Sequence, residues 1–99
     1  MNIQAMMKQA QKLQNDMMKA KNEIDAMEFH AQNGFVEVIL NGKKEVKKVN
    51  LHIDDSLEKE DVNLLEDMVM IAINDAMQQI DKITEEKLGK FTNGMPNLF

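Results

Sequence analysis

The chain is 99 residues long, 43% hydrophobic and 29% charged, with no Cys, and it carries a formal net charge of −5. That length bounds it to one domain near the lower limit of what a single core stabilises, and the missing Cys excludes disulfides and thiolate metal sites. All twelve basic residues are Lys; the acid excess argues against phosphate binding by the whole surface, while leaving room for a local basic footprint.

No charged segment followed by an apolar run opens the sequence, so no signal peptide is expected. The longest apolar run, MVMIAI at 68–73, is far short of the ~20 residues that span a bilayer. A cytoplasmic chain is expected, with no membrane contact.

Residues 3–27 read IQAMMKQAQKLQNDMMKAKNEIDAM. Ile3, Met6, Ala10, Leu13, Met17, Ala20, Ile24 and Met27 alternate at spacings of three and four, a heptad seam in which every a and d position is apolar or Ala. Good helix formers fill the positions between them, so a helix is predicted from Ile3 to Met27 or Glu28. Its stripe is too narrow to face a globular core.

The period then changes to two. EFHAQ, FVEVIL and EVKKVNLHI read as three strands of an antiparallel meander, divided by Asn33-Gly34 and Asn41-Gly42. Asn-Gly is the signature of a two-residue type I′ turn, where both central residues need positive φ. Val36, Val38 and Leu40 share one face; Val49, Leu51 and Ile53 repeat the pattern. Val46 is out of phase with that second set, which predicts a bulge near Lys47 or a second buried patch.

In IDDSLEKED, Asp55, Ser56 and Asp61 are candidate N-caps of a second helix. That helix is predicted from Val62 to Leu88 or Lys90, stopped by Gly89 or Gly94. Its apolar arc is wide over Leu64, Leu65, Met68, Val69, Ile71, Ala72, Ile73 and Ala76, then narrows to Ile80 and Ile83. A helix of this kind crosses the sheet and then leaves it. The expected architecture is therefore α+β, an α-β-β-β-α subunit with two long projecting helices, over residues 1–92, followed by a flexible tail at 93–99. The first helix's seam packs against the chain's own last helix or against a partner's copy of the first, and the sequence does not choose. A homodimer is expected, buried through the first half of helix two and the second face of the sheet. Its candidate interface residues are Val36, Val38, Leu64, Leu65, Met68, Val69, Ile71 and Ala72.

Three segments in order, MKQAQKLQ at 7–14, GFVEVILNGKKEVKKVNLHIDDSL at 34–57 and LLEDMVMIAINDA at 64–76, resemble the YbaB/EbfC family of bacterial nucleoid-associated proteins. The resemblance covers nearly the whole chain. It implies a homodimer whose helices project as tweezer-like arms that grip duplex DNA. The departure is the lack of Arg, including at Lys47-Lys48, which removes bidentate guanine contacts and leaves Lys as the weaker substitute.

Lys8, Lys12, Asn15 and Lys19 form one outward stripe of the first helix. They suit phosphate tracking; the plain alternative is the solvated back of an amphipathic helix. Lys82, Lys87 and Lys90 occupy the last turns of helix two, where cations also complement the helix dipole. These seven residues are the candidate DNA contacts. Lys21, off the stripe, is expected to pair with an acid across the seam. Lys43, Lys44, Lys47 and Lys48 flank a turn, where charge discourages edge-to-edge pairing. Off-seam Met7, Met18 and Met70 suit gaps in a dimer interface.

His30 and His52 have no second ligand at metal spacing. Asp54-Asp55, Glu66-Asp67 and Glu85-Glu86 are sequence neighbours that point apart, unlike a catalytic carboxylate pair. Ser56 has no His motif around it, and there is no phosphate-binding Gly loop. No catalytic site, metal, cofactor or small-molecule substrate is expected. The expected function is nonspecific duplex binding at the nucleoid; the alternative is a coiled-coil adaptor for a protein partner, with DNA association indirect.

Overall fold

A computed structural model describes residues 2–92. Asn2 starts the first helix: its side-chain oxygen accepts from the amides of Gln4 (3.0 Å) and Ala5 (3.3 Å), two of the donors that a helix start leaves without partners. Helix α1 runs Ile3–Asp25, and strands β1 (Glu28–Asn33), β2 (Val36–Asn41) and β3 (Val46–Leu51) follow it. A single 3-10 turn, Lys59–Asp61, leads into α2, Val62–Thr92.

The strands pair antiparallel in the order β1-β2-β3. Alternation sends Phe29, Ala31, Val36, Val38 and Leu40 to one face, where they are buried with Ala72, Ala76 and Ile80 of α2. Two alanines at the centre of that contact let the helix lie close to the strands. Burying a side chain such as Phe29, Val36 or Leu40 is worth about 1.5–3 kcal/mol each.

The predicted bulge is present. Ile39 pairs with Lys48, but the next residue, Leu40, pairs with Val46, so Lys47 is the extra residue. The bulge brings Val46 back into phase with Val49 and Leu51, which lie opposite Val38 and Val36.

Both hairpin connections differ from a type I′ turn. At the first, Asn33 already pairs with Val36, so the central residues are Gly34 and Phe35, and only Gly34 has positive φ (56°). The second spans residues 42–45, with the left-handed residue at Lys44 (φ 67°). Asn41 organises it: its side-chain oxygen accepts from the amides of Lys43 and Glu45, both at 3.0 Å, and its amide group donates to Glu45 Oε1 at 2.7 Å. Gly42 is needed for another reason. A Cβ there would run into the carbonyl of Ile24, in the last turn of α1.

Helix α2 spans the sheet from one turn to the other. At its first end Met68 lies over Gly34, and its Sδ accepts from the Phe35 amide at 3.4 Å. Further along, Gln79 donates to the His30 carbonyl (3.0 Å), and Asp81 pairs with Lys44 at 2.6 Å. Beyond Asp81 the helix leaves the sheet and runs beside α1, giving a molecule of 72 × 22 × 14 Å.

Other expectations are corrected here. Helix α2 continues through Gly89 to Thr92; Gly94 and the tail at 93–99 lie outside the described residues. Ser56 caps no helix, because its amide and hydroxyl both donate to Asp54. The 3-10 turn instead begins at Glu58, whose amide donates to Asp61 Oδ2 at 2.9 Å. The sheet's second face is largely polar. It carries Glu37, Lys48 and Asn50 around Ile39, with Asn50 donating to Glu37 at 3.1 Å.

Candidate nucleic-acid interface

The arm consists of α1 and the end of α2. Where both helices are present the heptad seam is covered: Ile24 and Leu88 are each 2% exposed, while Met17 and Ala20 are half-buried. Toward the tip it is bare, with Leu13 at 51% and Ile3 at 70% exposure. The two alternatives left open for the seam therefore divide along its length: its last half packs on the chain's own α2, and its first half packs on nothing described.

Lys8, Lys12, Asn15 and Lys19 are all exposed on the side of α1 turned away from the seam. Asn15 and Lys19 border an open depression along α1 shared with Gln11, Gln14, Met18, Asn22, Glu23 and Ala26. Lys82, Lys87 and Lys90 are exposed on the outgoing part of α2; the Lys90 ammonium lies 5.0 Å from the centre of the Phe91 ring. Lys21 does not pair across the seam. Its ammonium is 3.4 Å from Asp25, one turn along the same helix.

The charges are segregated along the molecule. Residues 54–75 hold eight acids and one Lys, whereas the rest of the chain holds nine acids and eleven Lys. Because α2 begins beside the Gly34 turn and leaves past Lys44, the acid-rich segment lies at the end of the sheet away from the arm. The net charge of −5 thus hides a slightly basic arm and sheet. Composition could not display this, because it depends on where the chain turns back.

In the β2–β3 turn, the Asn41 side chain holds the Glu45 carboxyl below its ordinary pKa, helped by the Lys47 and Lys43 ammoniums. Ser56 does the same for Asp54 through its hydroxyl and its amide. Both are local turn locks. His30 Nε2 lies 3.4 Å from Glu28, and the His52 amide donates to the Phe35 carbonyl. Among the described residues no group of three or more His, Asp or Glu is placed to hold a metal ion, and no helix is long and apolar enough to cross a membrane.

The candidate dimer residues fall into three groups. Val36, Val38 and Ala72 are wholly buried in the subunit's own core and have no surface left for a partner. Leu65, Met68 and Val69 are partly buried against that core. Leu64 and Ile71 are exposed, as are off-seam Met7, Met18 and Met70. The sequence shows the apolar alternation of β3 but not that this row stays bare, and none of it was a candidate interface residue. Val46, Val49 and Leu51 line β3 on the face that α2 covers at β2, yet remain 43%, 43% and 46% exposed, with Ile53 beyond them.

The model of the YbaB/EbfC DNA-binding family matches residues 1–95. The chain belongs to this family. A nucleoid-associated protein of Lactococcus lactis is 46% identical to it over 98 residues, covering 97% of this chain and 98% of the relative. One from Enterococcus faecalis is 42% identical over 97 residues, covering 96% and 92%. Among solved structures, an uncharacterised Helicobacter pylori protein superposes with a TM-score of 0.71 at 19% identity, over 87% of this chain and 91% of that one. That likeness is one of fold alone.

Proposed function

We propose that the chain binds duplex DNA at the bacterial nucleoid, in the cytoplasm, as a homodimer with little sequence specificity and no catalytic step. The observation that carries this reading is the segregated charge. The arm presents Lys8, Lys12 and Lys19 on an outward face, and the net acid excess lies in residues 54–75, at the opposite end of the sheet. Family membership supplies DNA as the polymer; the relatives named above are nucleoid-associated proteins.

The mechanism is electrostatic. Lys8, Lys12 and Lys19 neutralise phosphates along one side of a groove, and Asn15 adds a neutral donor. Lys82, Lys87 and Lys90 add charge from α2. Phosphate contacts fix position without reading sequence, and without Arg the chain lacks the fork that reads guanine. The bare row Val46, Val49 and Leu51, with Leu64 and Ile71 of α2, supplies the apolar surface for a second copy. Exposed apolar surface of this kind marks an association site.

The test is anisotropy of a labelled duplex titrated with pure protein from about 25 to about 150 mM salt, where the log–log slope is about −0.9 per phosphate neutralised. K8E/K12E/K19E is expected to abolish binding while leaving the helical circular dichroism unchanged. Salt-independent binding, or unchanged affinity in the triple variant, overturns the arm assignment. No binding at the lowest salt shifts the reading to a protein-binding adaptor.

A further inference from the structure

We infer that the bare tip of α1 pairs antiparallel with the same tip of a second copy, independently of the β3 row and of whether the arm binds DNA. The seam is covered beside the sheet, where Ile24 and Leu88 are each 2% exposed, and bare from Leu13 to Ile3, with Met6 and Met7 at 51% and 61% exposure. That stretch measures about 15 Å at 1.5 Å per residue. Helix α1 leads into the sheet and α2 leads out of it. An antiparallel partner helix therefore follows the seam in the direction of α2 and takes over where the cover of α2 ends.

The residues of the tip are complementary to themselves. A two-fold axis near position 8 sets Ile3 of each copy against Leu13 of the other, and Met6 of each against Ala10 of the other. Long Met thus meets short Ala in both inner layers, the large-against-small fit that fills a core. A parallel pair would set Ala10 on Ala10 and leave a gap. Met7 and Gln9 flank the axis, and each meets its own counterpart, so a charge at either would repel itself; both are neutral. Flanking charges are what select a different partner helix, and here they are missing. Farther out, Asp16 of each copy reaches the first turn of the other copy's α1. That turn has no acid of its own, and the helix dipole favours one there. Asp16 makes no ion pair among the described residues. Stable interfaces bury about 1,200–2,000 Å²; residues 3–13 of one helix per copy supply less. The pairing is a weak one that joins subunits or formed assemblies as protein concentration rises.

The chain has no Cys, so single thiols in the full chain report the pairing. Gln9→Cys puts a thiol beside the two-fold axis, and Lys8→Cys, its neighbour on the outer side, is the control. Neither changes an apolar position. Under mild oxidant the first is expected to form a disulfide-linked dimer at least tenfold faster than the second. Equal rates overturn the pairing. A second measurement takes the β3 row out of play with Val49→Glu. Sedimentation of that variant is expected to keep a rise in mass with concentration, and adding Ala10→Glu, a helix former at an exposed position, is expected to weaken that association at least tenfold. A Val49→Glu chain whose mass does not rise overturns the proposal, as does a rise that Ala10→Glu leaves intact. Association lost in Ala10→Glu alone and untouched by Val49→Glu keeps the tip pairing and overturns the β3 row.

Discussion

Gly42 lies under the last turn of α1, so close that a Cβ on it would overlap the carbonyl of Ile24. This contact sets where the arm leaves the sheet. The clash would be with backbone, which cannot rotate away, so Gly42→Ala must push α1 outward. Overpacking of this kind costs about 1–3 kcal/mol. The midpoint of urea unfolding should fall accordingly, and Lys43→Ala, next to it but exposed, should leave the midpoint almost unchanged.

Removing charge from the end of α2 should act on affinity without unfolding the protein. Lys82→Gln, Lys87→Gln and Lys90→Gln should each weaken duplex binding about equally across sequences. Each should also flatten the log–log salt slope by about 0.9 if its ammonium meets a phosphate. A slope that stays the same in all three variants would confine the contact to α1.

Val49→Glu places a charge in the middle of the bare β3 row. The side chain is 43% exposed in the subunit, so the fold should survive. Association should weaken by at least tenfold, about 1.4 kcal/mol. Sedimentation velocity reads this as a shift toward monomer. Ile39→Glu, on the largely polar second face, should leave the assembly unchanged.

The Glu45 lock gives the β2–β3 turn a pH dependence. Its carboxyl is held below the ordinary value, first by Asn41 and then by Lys47 and Lys43. A group depressed in the folded state contributes stability above its unfolded pKa and loses it as pH falls through the folded one. The turn should therefore loosen on the acid side of the ordinary carboxylate range and be unaffected near neutrality. Amide exchange at Lys43 and Glu45 should quicken in acid, after correction for intrinsic rates. In Glu45→Gln that pH dependence should disappear.

Much of the fold was legible in the sequence because its signals are periodic. The change from heptad to alternating spacing at residue 28 marks the end of α1, and the phase slip of Val46 marks the bulge at Lys47. What was not legible depends on contacts between distant segments. Asn41-Gly42 reads locally as a type I′ turn, but Gly42 answers to Ile24, eighteen positions earlier. The heptad seam looks uniform along the chain, yet α2 covers only half of it. The dimer interface was expected on the second face of the sheet, so bare apolar surface was expected there. It was left instead on the first face at β3, which lies beyond the width of one helix. The lysine stripe was readable by angle alone, whereas its separation from the acids required the path of α2.

That separation gives the protein a lengthwise electric dipole. In the field of a duplex, a body 72 Å long whose net negative charge lies toward one end (eight acids and one Lys in residues 54–75) feels a torque before it touches anything. The torque turns the arm inward and the acidic end outward. Collisions that would have begun broadside are converted into productive ones. This bias acts on the rate of encounter and is erased as salt shortens the range of the field. Neutralising acids between residues 54 and 75, none of which need touch DNA, should therefore slow the salt-sensitive part of association even as it makes the protein less negative.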